Sequence, residues 1–133
     1  MDIVRSYSEN PLDRVQPVVT KDELLQLIQE ARTVEANDRI FDYVTTLAEA
    51  TRTHPMVELG VSPRGALALC RMAKAHAFLA GRNFVVPEDV AAVFPDVCAH
   101  RLILSAKARM MEEKAENILS EILKSVDMPV LKA

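Results

Sequence analysis

The chain has 133 residues, of which half are hydrophobic and 26% charged, with a formal net charge of −3; that suits one globular domain and is too short for two ordinary ones. The acidic balance opposes nucleic acid as a main partner. No apolar run approaches the ~20 residues that span a bilayer, and Met1-Asp2-Ile3-Val4-Arg5 lacks the apolar stretch of a signal peptide, which points to a cytoplasmic protein.

With three Gly and two Tyr but abundant Ala and Leu, the chain leans helical. Asp2 to Ser8 reads as the tail of a helix, and Asn10 to Val19, with its two prolines, as an extended linker. Thr20-Lys21-Asp22-Glu23 is a capping box that starts a helix running to about Arg32, with Leu24, Leu27, Ile28 and Ala31 as its buried stripe. Thr33 to Ala36 reads as a short extended piece. Asn37 caps a second helix, which places Ile40, Phe41, Val44, Leu47 and Ala48 towards the core and ends near Thr53, before His54-Pro55.

A third helix is expected from Pro63 to about Ala80, stopped by Gly81. It is apolar on most sides, so it should be the central helix of a bundle. Arg64, Arg71 and Lys74 share a rough basic stripe on it, and His76 is expected as a packed core residue. Asn83 to Val86 is a short β-branched and aromatic run. Pro87-Glu88-Asp89 opens a fourth helix; Val86 has no side chain to cap it, and Asp89 can compensate. A break is expected at Pro95, then a short helix through about Arg101. From Leu102 to Arg109 the period-two alternation favours an extended segment, with helical continuation as the rival reading. The final helix spans roughly Glu112 to Val126, with Ala115, Ile118, Leu119, Ile122 and Val126 on its apolar face.

One run carries more chemistry than the rest: Leu59-Gly60-Val61-Ser62-Pro63-Arg64-Gly65-Ala66-Leu67-Ala68-Leu69. Ser62 can cap the third helix by accepting from a free backbone N–H. Pro63 suits the first helical position, where its missing N–H would have had no partner. Arg64 leaves the first turn at the positive end of the helix dipole, where a phosphate would want a cation. Gly65 adds no bulk, so another surface can come close. The plain alternative is a capped core helix with a surface arginine.

Leu59 through Val90, with Gly81-Arg82-Asn83-Phe84-Val85-Val86-Pro87-Glu88-Asp89-Val90 as its second half, resembles the lid subdomain of MoxR-type AAA+ ATPases. The likeness extends upstream through Asn10-Pro11-Leu12-Asp13-Arg14-Val15-Gln16-Pro17-Val18 and Asp42-Tyr43-Val44, and downstream through His100-Arg101. It implies an all-α bundle with a tiny two-stranded β element, formed by pairing Thr33–Ala36 with Asn83–Val86. Residues 1–19 would be the end of a preceding subdomain and its linker, and 20–133 the helical lid. The resemblance makes Arg64 a "sensor 2" arginine that touches ATP phosphate, acting in cis or on a neighbouring subunit. Ser62, Pro63, Arg64 and Gly65 are the candidate nucleotide-binding residues, and Arg64 the catalytic one. Arg82 and Arg101 are secondary candidates, for which structural pairing is the expected role. The family usually has Ser or Thr before the proline of the fourth helix; Val86 departs from that.

No Gly-x-x-x-x-Gly-Lys loop is present, since Gly60, Gly65 and Gly81 are the only glycines and none precedes Lys. The chain therefore cannot build a phosphate nest of its own. The resemblance implies a piece of a larger, hexameric, ring-forming ATPase that uses ATP and magnesium, with Met1 not necessarily a natural start. Its partners would be its own large ATPase subdomain, the neighbouring subunits and a client protein. On its own the chain is expected not to hydrolyse ATP. His54, His76 and His100 are scattered, without metal spacing. Cys70 and Cys98 lie in apolar surroundings and read as a reduced pair. A stand-alone helical interaction module is the competing class; a helix-turn-helix domain is disfavoured by the acidic balance and the lack of a short helix carrying base-reading Asn, Gln and Arg.

Overall fold

A computed structural model describes residues 10–130; the expected helix tail at Asp2 to Ser8 lies outside them. A 3₁₀ turn, Pro11–Arg14, opens the described chain and is capped by Asn10. Around it, 10–19 has no other regular structure and is solvent-exposed throughout. Six helices follow: α1 (Lys21–Arg32), α2 (Asp38–Thr53), α3 (Pro63–Leu79), α4 (Pro87–Cys98), α5 (Ala106–Met110) and α6 (Ala115–Ser125). Two short strands, β1 (Val57–Leu59) and β2 (Ile103–Leu104), pair antiparallel with a bulge.

Local chemistry sets most of the helix starts. The Thr20–Glu23 capping box is complete: Thr20 Oγ1 accepts from the Glu23 N–H at 3.2 Å and Glu23 accepts from the Thr20 N–H at 3.0 Å. Asn37 accepts from the Ile40 N–H, and Ser105 starts α5 in the same way. At α4, Asp89 reaches back to the Val86 N–H at 2.8 Å, so the acid in the first turn replaces the missing cap. Helix α3 ends in a Schellman motif. Gly81 sits at φ 77°, with its N–H donating to Phe78 O and the Arg82 N–H to Ala77 O.

The core lies between α2, α3, α4 and α6. Ile40, Val44, Leu47, Leu69, Ala73, Val90, Phe94, Ile118 and Leu119 are each at most 2% exposed. Helix α3 is the central element, packed against α1, α2 and α4. Its buried line is Gly65, Leu69, Ala73 and Ala77. The small residues Ala73 and Ala77 on this line let α4 approach closely, in the ridge-and-groove manner of helix packing.

Several expectations are corrected. The stripe of α1 is not buried: Leu24, Leu27 and Ile28 remain 40–49% exposed and no α1 residue is buried. Among the described residues no further layer covers that face. Phe41 is 43% exposed, while Tyr43 and Thr51 take core positions instead. His76 is exposed and faces Asp89 rather than the core. Helix α4 does not break at Pro95 but runs to Cys98 and then tightens into a 3₁₀ turn, Ala99–Arg101. Burial of Phe94, Val97 and Cys98 on either side of the proline holds the helix together.

The pairing of Thr33–Ala36 with Asn83–Val86 is a single parallel bridge, Glu35 with Phe84, made by Glu35 N–H to Asn83 O and Val85 N–H to Glu35 O. Val34 and Val85 anchor it in the core. The two-stranded sheet forms elsewhere, between β1 and β2. The period-two stretch is extended only at Ile103–Leu104 and helical from Ala106. Both cysteines are free thiols; Cys98 is buried, and that burial pushes its pKa up to about 11. Among the described residues no helix is long and apolar enough to cross a membrane.

Candidate functional site

The site is built on a strap, residues 60–62, that leads from β1 into α3. Gly60 lies against the last turn of α2, where an added Cβ would stand 2.7 Å from both the Cα and the N of Arg52. Val61 is fully buried. Its N–H donates to Thr51 Oγ1 and its carbonyl accepts from Arg52 Nε, both at 2.9 Å. Ser62 then caps α3, its Oγ accepting from the Gly65 N–H at 3.2 Å. Pro63 occupies the first helical position.

Arg64 projects from this first turn and is exposed. Among the described residues its side chain makes no hydrogen bond or ion pair, and neither does its backbone N–H. The turn thus offers one open donor on the backbone and a guanidinium beside it, at the positive end of a helix dipole. Gly65 serves a different purpose. It is buried, its N–H is taken by Ser62, and a Cβ there would meet Val61 Cγ1 at 2.7 Å and Arg101 Cδ at 3.3 Å. The surface its lack of bulk admits is the chain's own.

These contacts rank two substitutions. Gly60→Ala drives a methyl into helix backbone, which cannot swing aside, and should cost about 2–3 kcal/mol. Gly65→Ala meets side-chain atoms and should cost less. Urea denaturation of the two variants checks the order; equal midpoints would mean that the strap is not wedged against α2.

Arg82 and Arg101 both have structural partners. Arg101 Nε donates to Val97 O at 2.9 Å. Arg82 forms a fork on Asp89, with Nη1 to Oδ2 at 2.7 Å and Nη2 to Oδ1 at 2.6 Å, and it also donates to Phe84 O. Asp89 is only 1% exposed. His76 Nδ1 completes its shell at 2.8 Å; since a carboxylate only accepts, that nitrogen carries the hydrogen. Burial pushes the Asp89 carboxyl up, but the hydrogen bonds from Arg82, the Val86 N–H and His76 outweigh it and hold it below the ordinary carboxylate range. This hub locks the end of α3 to the start of α4. Nothing in the sequence joined His76 to Asp89, because they are thirteen positions apart on different helices.

A groove of about 720 Å³ runs between α1 and α3, lined by Ile28, Ala31, Arg32, Leu67, Cys70, Arg71 and Lys74 among others. A second, of about 440 Å³, lies between α2 and α3 and shares Leu67 and Cys70 with it. The basic stripe is split. Arg71 and Lys74 line the first groove, where Lys74 Nζ reaches Arg32 O, whereas Arg64 does not line it. His54 pairs with Glu121, remote in sequence from His76.

A small helical bundle with one short two-stranded sheet is the architecture of an AAA lid. The chain belongs to the AAA lid domain family, whose profile it matches over residues 49–122, and it is a lid of the MoxR type. It is 37% identical over 124 residues to YeaC of Bacillus subtilis, covering 93% of this chain and 39% of that protein. It is 30% identical over 129 residues to the chaperone MoxR1 of Mycobacterium tuberculosis, covering 90% of this chain and 34% of that one. A crystal structure described as "a putative ATPase" from Cytophaga hutchinsonii superposes with a TM-score of 0.83 at 29% identity, over 97% of this chain and 42% of that chain. The chain thus spans between a third and two fifths of the length of the two curated relatives.

Proposed function

We propose that the chain acts as the lid of an ATP-hydrolysing, ring-forming MoxR-type machine of the cytoplasm, and that Arg64 contacts the γ-phosphate. The observation that carries this reading is the open first turn of α3. The Gly65 and Ala66 N–H groups are taken by Ser62 and Pro63 has none, while the Arg64 guanidinium and N–H have no partner among the described residues. The residues present fit one corner of a triphosphate. No Gly-x-x-x-x-Gly-Lys loop is in the sequence and no acidic cluster among the described residues could hold magnesium, so on this reading the phosphate nest and the magnesium ligands come from the rest of the ATPase.

Bound ATP and magnesium supply the phosphoryl chemistry. This chain supplies a preorganised cation for the charge that builds up on the transferring group. Because the arginine is rigidly tied to the lid, its bond to phosphate also ties lid position to the presence of that phosphate, and hydrolysis becomes motion. ATP turnover of the full ATPase, wild type against Arg64→Ala with assembly checked in both, tests the reading.

The exposed stripe on α1 supports a ring partner. Leu24, Leu27 and Ile28 form an apolar face that the lid leaves uncovered, which suits packing against the large ATPase subdomain or a neighbouring subunit. Leu24→Asp with Ile28→Asp should leave the melting temperature of the lid within about 4 °C of wild type, since surface changes rarely exceed about 0.5 kcal/mol each. The same pair should disrupt assembly of the full protein, read by analytical ultracentrifugation. Intact rings would remove that face from the interface.

A further inference from the structure

We infer that Thr51 and Arg52 are positioning residues for Arg64, holding the strap that sets where the arginine points. The inference rests on the reading of Arg64 as the phosphate contact. Val61 is fully buried, yet its backbone is not in a sheet or a helix. A buried N–H and carbonyl still need partners. Here two consecutive side chains at the end of α2 supply both: Thr51 Oγ1 accepts from the Val61 N–H, and Arg52 Nε donates to the Val61 carbonyl.

Thr51 is itself fixed. It is fully buried and its hydroxyl donates to Ala48 O at 2.6 Å, so the one lone pair that Val61 uses is aimed by the helix. Gly60 against Arg52 and Gly65 against Val61 close the strap from either side. Only Ser62 and Pro63 separate Val61 from Arg64. A shift of the strap therefore rotates the first turn of α3 and carries Arg64 with it, and a displacement on the order of 1 Å at a reacting group can cost about a hundredfold in rate.

Thr51→Val keeps the shape and removes the hydroxyl, whereas Thr51→Ser keeps the hydroxyl. Arg52→Lys keeps the charge but has no Nε–H at the right depth. In the full ATPase, Thr51→Val and Arg52→Lys should lower kcat for ATP about tenfold or more, with rings intact and KM changed less than kcat, and Thr51→Ser should restore most of the rate. The deciding measurement is a double-mutant cycle. If Thr51 acts through Arg64, Thr51→Val should have no further effect on kcat once Arg64→Ala is present.

Additive losses in the cycle would overturn the inference and leave Thr51 a purely structural residue. Wild-type kcat in both Thr51→Val and Arg52→Lys would also overturn it, without touching the role of Arg64. A normal rate in Arg64→Ala would instead remove the phosphate contact, and the positioning role with it. Should Thr51→Val fail to fold, Arg52→Lys, at an exposed position, enters the same cycle in its place.

Discussion

Arg64→Ala in the full ATPase is expected to lower ATP turnover by about 10³-fold, the scale seen when a charge-clamping arginine is removed from a phosphoryl-transfer site. The size follows from where the arginine stands. It leaves the first turn of α3, where the dipole and an open N–H already favour an anion, and no acid among the described residues neutralises it. Arg64→Lys should recover only part of the rate, because an ammonium offers a point charge where the guanidinium offers a planar fork. Neither change should alter folding of the lid, since an exposed, unpaired side chain contributes little to it. A steady-state ATPase assay on assembled rings decides the matter. An unchanged rate would return Arg64 to the role of a surface arginine and leave the lid assignment standing.

Asp89→Asn is expected to be the most destabilising of the substitutions considered, by about 3 kcal/mol, which for a chain of this size lowers the melting temperature by about 10 °C. The carboxylate is 1% exposed and takes four hydrogen bonds, two from Arg82 and one each from His76 and the Val86 N–H. An amide cannot accept all four, and it leaves Arg82 without its counter-charge. Arg82 is 28% exposed, so water recovers part of the loss, which holds the figure at the lower end for a broken ion pair.

The same group sets a pH dependence. Its carboxyl titrates below the ordinary range in the folded chain. The stability it contributes is therefore fully present above the unfolded carboxylate value of about 4 and is lost as pH falls through the lower folded value. Thermal melts of wild type between pH 7 and pH 3 should drop faster at the acid end than those of Asp89→Asn. Parallel curves would mean that other carboxylates carry the acid sensitivity.

Where structure follows from neighbours in sequence, the residues were readable one at a time. Thr20 with Glu23, Asn37, Ser62 with Pro63, and Gly81 each satisfy or end a backbone within four positions, so the bounds of α1, α2 and α3 follow from local hydrogen bonding alone. The compensation of Val86 by Asp89 is of the same kind. Local signals also misled. Past the end of α5, Glu112 turns the chain in a left-handed conformation, φ 54°, with no glycine to mark the stop, so the segment before α6 read as part of α6. A strand of three residues is too short for an alternation to register, which hid β1 and with it the partner of the extended segment at Ile103–Leu104.

Amphipathic periodicity says that a helix has an apolar face but not whether anything covers it. The same pattern that is buried in α6 is left open in α1, because coverage depends on which elements the fold stacks there. Arg64 could be picked out from its place in a capped first turn. The residues that aim it could not, since Thr51 and Arg52 meet Val61 across a loop, and His76 and Arg82 meet at Asp89. Backbone capping acts over one turn and is written in consecutive residues. The strap and the hub are contacts between separate helices, and they exist only once α2, α3 and α4 have packed.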